Sequence, residues 1–199
     1  MQKELFVLNK FQIGWLLITS PERGLSEIAS RREKSIALFV LLVATASITV
    51  SSALASSSFA PSHISTLPFD FVANLTLFLL WLFVASAFLH LCASLLGGSG
   101  DVKGLSLGLS ASLFPFCFAT PCSLISMGLG HPALIGTLSL IGLACWIFWL
   151  QVILVKKVYN ISLTASILSF LIPFLFFYLA GFILLFSGIG KVMSYVRQV

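Results

Sequence analysis

Residues 97–104 read GGSGDVKG, a glycine-rich polar break between two long apolar runs. It follows Leu89-His90-Leu91-Cys92 and precedes a run that contains Pro115 and Pro121. Backbone N–H and C=O groups must be paired inside a membrane. Such a stretch therefore belongs in water, in a protein-lined crevice or among headgroups. The break thus marks where the chain leaves the bilayer and turns back.

Working outward, the chain of 199 residues is 59% hydrophobic and only 9% charged, with a mean hydropathy of +1.10. Soluble domains carry about a quarter charged residues, so a soluble domain is excluded. Apolar runs fall at about 36–58, 71–96, 105–128, 133–155 and 163–187. Each is long enough to cross ~30 Å of hydrocarbon at ~1.5 Å per residue. The reading is an all-α polytopic membrane protein with a bundle of five transmembrane helices. Residues 1–35 form a cytoplasmic N-terminal interfacial segment, 36–190 the membrane domain and 191–199 a short C-terminal tail.

The net charge of +5 reports topology and gives no sign of a nucleic-acid partner. With the N-terminus in the cytoplasm, the inside segments hold Lys3, Lys10, Arg23, Arg31, Arg32, Lys34, Lys103, Lys156 and Lys157. Outside lie only Lys191 and Arg197. This asymmetry predicts the N-terminus inside and the C-terminus outside. The first twenty residues lack the long apolar core and small-residue cleavage site of a signal peptide. Ser20 is placed to cap a helix, Pro21 to begin it and Glu22 to sit in its first turn. That helix is expected to run from Pro21 to about Lys34. Arg23, Glu27 and Arg31 recur along one face, and Leu25, Ile28 and Ala29 along another. It reads as an amphipathic helix at the interface, with Trp15 in the same plane. Pro21, Arg23, Arg31, Arg32 and Lys34 are its candidate anchors to anionic lipid. A docking surface for a cytosolic partner is the alternative.

Within the spans, Ser47, Ser51 and Ala55 form one small-residue stripe, and Gly100, Gly104, Gly108 and Ser112 form another. Such stripes let helices approach closely, and they leave a homo-oligomer open. Pro115 and Pro121 release the carbonyls of Ala111 and Cys117 and predict a kinked or broken third span. Ser112, Thr120 and Ser123 are candidates to re-satisfy the freed groups. Pro173 predicts a single kink in the fifth span. His90 is the one titratable group at depth. It reads either as a neutral imidazole bonded to a neighbouring carbonyl or hydroxyl, or as a contact for the glycine break. Asn74 and Gln151 are read as served by headgroups or water near span ends.

Catalytic chemistry finds little support. H-E-x-x-H, intramembrane carboxylate pairs, G-x-S-x-G, a P-loop and G-x-G-x-x-G are all missing. No catalytic residue, metal ligand or cofactor is assigned. Cys92, Cys117, Cys122 and Cys145 contain no C-x-x-C pair and read as packing residues. The two sequons at Asn74 and Asn160 are read as chance. Transport of a small solute or ion through the proline-broken third span and His90 is the alternative function, and an intramembrane hydrolase a remote one.

The order of these features resembles the Yip family, the Ypt-interacting five-span integral membrane proteins. The matching pieces begin with the proline-led helix Ser20–Lys34 and the second span ending in His90-Leu-Cys-Ala-Ser-Leu-Leu-Gly97-Gly98-Ser-Gly100. They continue with Phe114-Pro115 in the third span and Trp146 in the fourth. The resemblance implies five spans and a cytosolic N-terminus. In eukaryotes it implies a tie to vesicle traffic, Rab-type GTPases and membrane shaping. Eukaryotic members carry a long cytosolic region before the spans. The short segment here makes small-GTPase binding doubtful and points to a prokaryotic member. The expected location is the plasma membrane in a prokaryote and the ER or Golgi in a eukaryote. The expected role is a membrane-organising or trafficking-type adaptor without catalytic activity. It works through helix packing set by Gly97, Gly98, Gly100 and Pro115, on membrane lipids and a membrane or cytosolic protein partner.

Overall fold

The computed structural model describes residues 9–55, 61–130, 132–173 and 175. The far half of the expected fifth span, the 191–199 tail, Lys3, Lys191 and Arg197 lie outside the described residues. Among the described residues every element is a helix. Helix α1 is Lys10–Thr19, α2 Pro21–Arg31, α3 Lys34–Ala55, α4 Pro61–Leu95, α5 Val102–Ser112, α6 Ala119–Gly128 and α7 Pro132–Tyr159. A 3₁₀ turn, Phe114–Phe118, joins α5 to α6. A shorter apolar helix, α8, covers Leu163–Pro173. Four helical stretches are long and apolar enough to cross a membrane: Lys34–Ala55, Thr66–Leu95, Val102–Gly128 and Leu134–Tyr159. The chain is therefore a multi-pass, all-α integral membrane protein.

Helix α2 ends earlier than its sequence pattern suggests. Arg32 adopts the left-handed conformation at φ 56°, and the Glu33 N–H closes on the Ile28 carbonyl at 3.1 Å. Lys34 therefore opens the first span and does not close α2. Ser20 does sit at the N-cap position of α2, yet its side chain makes no capping bond. Its backbone carbonyl accepts from Arg23 and Gly24 at 2.9 and 3.1 Å. The buried face of α2 is Gly24, Leu25, Ile28 and Ala29. It packs on α1, α5 and α7, so the helix is seated on one end of the bundle and does not merely float on lipid. Each fully buried Leu or Ile contributes about 1.5–3 kcal/mol. Gly24 permits the seat, because a Cβ there would meet the Leu17 backbone nitrogen at 2.8 Å.

The third span is broken, and the break is resolved by its neighbour. The carbonyl that Pro121 frees, on Cys117, accepts from the Ser47 hydroxyl at 3.0 Å. The Thr120 N–H donates to Ser47 Oγ at 3.0 Å, and the Thr120 hydroxyl donates to the Ser47 carbonyl at 2.8 Å. One turn further along, Ser51 and Ser123 share a 2.6 Å hydrogen bond. The small-residue stripe of α3 is thus a polar ladder onto the broken span. Of the expected satisfiers, Thr120 takes part. Ser112 donates instead to the Leu109 carbonyl at 2.7 Å, and Ser123 bonds a side chain. Asn74 and Gln151 also depart from expectation. The Asn74 amide donates to Thr49 Oγ1 at 3.0 Å inside the bundle, and Gln151 is buried away from water.

Removing the Ser47 hydroxyl strands a carbonyl and an N–H at membrane depth. Ser47→Ala is expected to lower detergent-solubilised stability by about 1–2 kcal/mol. Ser52→Ala, whose hydroxyl donates to the Thr49 carbonyl within its own helix, should cost clearly less. Equal unfolding curves for the two variants would remove the ladder from this account.

Candidate functional site at the polar end of the bundle

The glycine break divides into residues needed for conformation and residues needed for space. Gly97, at φ 84°, is the left-handed residue of a helix-ending motif. Its N–H donates to the Ser94 carbonyl at 3.0 Å, and the Gly98 N–H donates to the Ala93 carbonyl at 2.9 Å. Nothing lies within 4 Å of a Cβ built at Gly97. Gly98 and Gly100 are different. A Cβ at Gly98 would meet Tyr159 Cβ at 2.8 Å, and one at Gly100 would meet the Tyr159 ring at 2.6 Å. The break therefore folds over the last residue of α7, and Gly97 takes no direct part in packing.

Tyr159 is the centre of this end and was not singled out by its sequence. It is 1% exposed. Its hydroxyl lies 2.6 Å from His90 Nδ1, and its carbonyl accepts from the Ser99 N–H at 3.3 Å. His90 is thus bonded to a neighbouring hydroxyl, and through Tyr159 it also touches the glycine break. The one signal that would have found Tyr159 is its position beside Lys156-Lys157 at a span end, where aromatic rings concentrate.

The stripe Gly100, Gly104, Gly108 serves three separate contacts. Gly104 lies under α2, with the Ala29 carbonyl 2.8 Å from a built Cβ, and Gly108 lies against Leu154 of α7 at 2.5 Å. Asp101 caps α5 by accepting from the Gly104 N–H at 3.0 Å. It also pairs with Arg32 at 3.0 Å, so the first residue after α2 is tied to the start of the third span. The Gly104 N–H, with help from Lys103 and the Arg32 guanidinium, holds the Asp101 carboxyl below its ordinary 3.8. Lys157 reaches Glu22 at 3.5 Å, and Arg31 reaches Glu27 at 2.6 Å. The Arg32 and Lys157 pairs are about half-exposed and orient α2 more than they stabilise it, while the Arg31 pair lies within α2 itself. Together they border a crevice of about 390 Å³ between α2, α5 and α7, lined by Ser26, Glu27, Ser30, Arg32, Asp101 and Lys157 among others.

Pro115 and Pro121 lie deeper, away from this crevice. Pro115 is buried in the 3₁₀ turn, and Pro121 stands in the first turn of α6, where its missing N–H is not needed. Around the turn, Phe114, Phe118 and Trp146 cluster with ring centres 5.4–6.4 Å apart. Pro21 begins α2 as expected, and Arg23 stands on its exposed face. Cys92 is buried, Cys117 and Cys122 are partly so, and Cys145 is exposed. Among the described residues no three His, Cys, Asp or Glu side chains gather to hold a metal ion.

A helical bundle whose broken third span is pinned to the first, and whose end carries a seated amphipathic helix, defines a class of polytopic membrane proteins. The Yip1 domain matches residues 15–185, nearly the whole of the described chain. The chain belongs to the Yip1 domain family. No curated protein and no solved structure matches it.

Gly100→Ala is expected to destabilise the protein by about 1–3 kcal/mol through overpacking on Tyr159. A double-mutant cycle with Tyr159→Ala should recover about 1 kcal/mol or more of the summed losses. Simple additivity of the two variants would separate the glycine from the ring. The Asp101 carboxyl sets a pH dependence with a defined sign. Its folded pKa is depressed, so its contribution is present above the ordinary carboxylate value and is lost as pH falls through the lower folded value. Amide exchange across residues 21–32, divided by the intrinsic rate at each pH, should therefore rise below about pH 4 in wild type. In Asp101→Asn the rise should be absent, and an identical pH profile in both proteins counts against the tie.

Proposed function

We propose that this protein is a non-catalytic membrane-organising adaptor of the trafficking type, working from the end of the bundle that carries α2. The observation that carries this reading is the seating of α2. One face is buried on α1, α5 and α7, and the opposite face presents Arg23, Ser26, Glu27 and Ser30 beside the Asp101–Lys157 crevice. A rigid, charged helix face beside a polar crevice suits recognition of a protein surface. In helix α1 next to it, Phe11, Trp15 and Ile18 are 80%, 58% and 56% exposed. They recur on one side of the helix, and such an apolar stripe beside basic residues suits insertion at a lipid interface.

In this reading the end is cytoplasmic, the chain crosses the membrane five times and the C-terminus is outside. The described basic residues, Lys10, Arg23, Arg31, Arg32, Lys34, Lys103, Lys156 and Lys157, all stand on the segments that meet there, which supports the orientation. The partners are membrane lipids and a membrane or cytosolic protein, with self-association through remaining small-residue faces. The family tie supports a role in membrane organisation, and small-GTPase binding is not part of the proposal. A second reading, passage of a small solute, draws on a cavity of about 280 Å³ lined by Ser51, Ser123, Ser126 and Thr137, among others, beside the broken span.

The test is quantitative affinity purification from native membranes, comparing wild type with Arg23→Glu/Ser30→Glu, matched for expression and thermal stability. A reproducible partner set that disappears in the variant is the expected result. An unchanged set would remove the α2 face from the adaptor reading, and saturable solute flux in liposomes that Ser123→Leu abolishes would replace that reading with the transport one.

A further inference from the structure

A groove of about 540 Å³ separates α1 from the start of α3, with Phe114 of the 3₁₀ turn at its inner side. Its walls are apolar apart from Lys10 and the Ser35 hydroxyl. Buried Leu17 and Val40 form its floor, and exposed Phe11, Trp15 and Phe39 stand along its rim. Gly14 keeps it open, because a Cβ built there meets nothing within 4 Å.

The groove is polar at the membrane boundary and apolar below it. Ser35 is the second residue of α3, so the polar part of the wall stands where the first span begins. Phe39 follows about 6 Å further along the helix, and Phe114 lies against the core of the bundle. Lys10 is the one charged residue of the wall. Among the described residues no carboxylate pairs with it, or with Lys34 at the start of α3. A lysine at a bilayer surface attracts anionic headgroups. The occupant must therefore join a flexible apolar chain to an anion. It must also come from the bilayer, since the aromatic rim opens to lipid.

We propose that this groove binds one anionic glycerophospholipid, with its phosphate at Lys10 and the Ser35 hydroxyl and an acyl chain along Ile36, Phe39 and Phe114. The site deepens the lipid-interface half of the adaptor reading and rests on it. It does not need the protein partner at the α2 face, so loss of either leaves the other standing. It would fix α1 to the first span through a lipid.

The full-length protein is reconstituted in phosphatidylcholine vesicles carrying a trace of phosphatidylglycerol or of phosphatidylcholine, each with a diazirine on one acyl chain. Cross-links are mapped by mass spectrometry. The expected result is saturable labelling of residues 36–40 and of Phe114 by the phosphatidylglycerol probe, several-fold above that of lipid-facing Leu134, Leu138 and Ile141 of α7. The phosphatidylcholine probe should label the groove about five-fold less, the ratio that one lysine near an anionic headgroup provides. Lys10→Gln should remove that preference and Lys10→Arg should keep it. Lys156→Gln, which removes the same charge from α7, should leave it unchanged. Gly14→Phe should lower labelling by both probes to background. Its thermal stability should be maintained or raised, since the ring enters open space and phenylalanine favours a helix over glycine. Equal labelling by the two probes would overturn the proposal, as would an undiminished preference in Lys10→Gln or an equal loss in Lys156→Gln. Undiminished labelling in a stably folded Gly14→Phe would do the same. Cross-links between two copies of the chain at this face, or labelling that arises only after residues 2–8 are removed, would assign the groove to protein and overturn it as well.

Discussion

A backbone broken inside a membrane must find its hydrogen bonds in the protein, and here Ser47 supplies them. Its hydroxyl both donates to the Cys117 carbonyl and accepts from the Thr120 N–H, so one small side chain serves both sides of the proline break. Without water to compete, each of these groups would otherwise stand unpaired. The bond network sets the first and third spans face to face. That placement in turn fixes where α6 meets α7 and where the aromatic cluster around Trp146 closes.

The polar end is built by the same economy of space. Tyr159 needs a partner for its hydroxyl and room for its ring. His90 supplies the first and Gly98 and Gly100 the second. Asp101 then both caps α5 and reaches Arg32, a residue held in a left-handed conformation that ordinarily costs a non-glycine about 1–2 kcal/mol. The amphipathic helix is thereby joined to the bundle at both its apolar face and its C-terminal end. Its membership of the Yip1 domain family places this arrangement in a group of membrane proteins, and the seated helix is the part of it that faces outward with charge.

Among the described residues, polar side chains at membrane depth sort into those the bundle satisfies and one amide nitrogen that it leaves open. Asn74 finds Thr49, Ser51 finds Ser123, and Ser166 finds the Val152 carbonyl. The Gln151 amide has no such partner.

Composition and charge placement alone determined that this chain is a helical, multi-pass membrane protein, since so few charged residues leave no soluble alternative. The glycine break, the proline-broken third span, the start of α2 and the small-residue stripes were legible for the same reason: each is a local rule of backbone geometry or helix spacing. The end of α2 was not, because a left-handed Arg32 carries no signature without the Asp101 that meets it across the fold. Tyr159 was hidden because burial at a span end looks like an interfacial anchor until the glycines fold over it. Gln151 was misread because depth was counted from the end of an apolar run, while the helix continues to Tyr159. Ser47 was seen only as small, since its worth lies in a carbonyl seventy residues away. Hydrogen-bond partners of that kind are decided by which helices meet, and sequence spacing within one helix says nothing of the next.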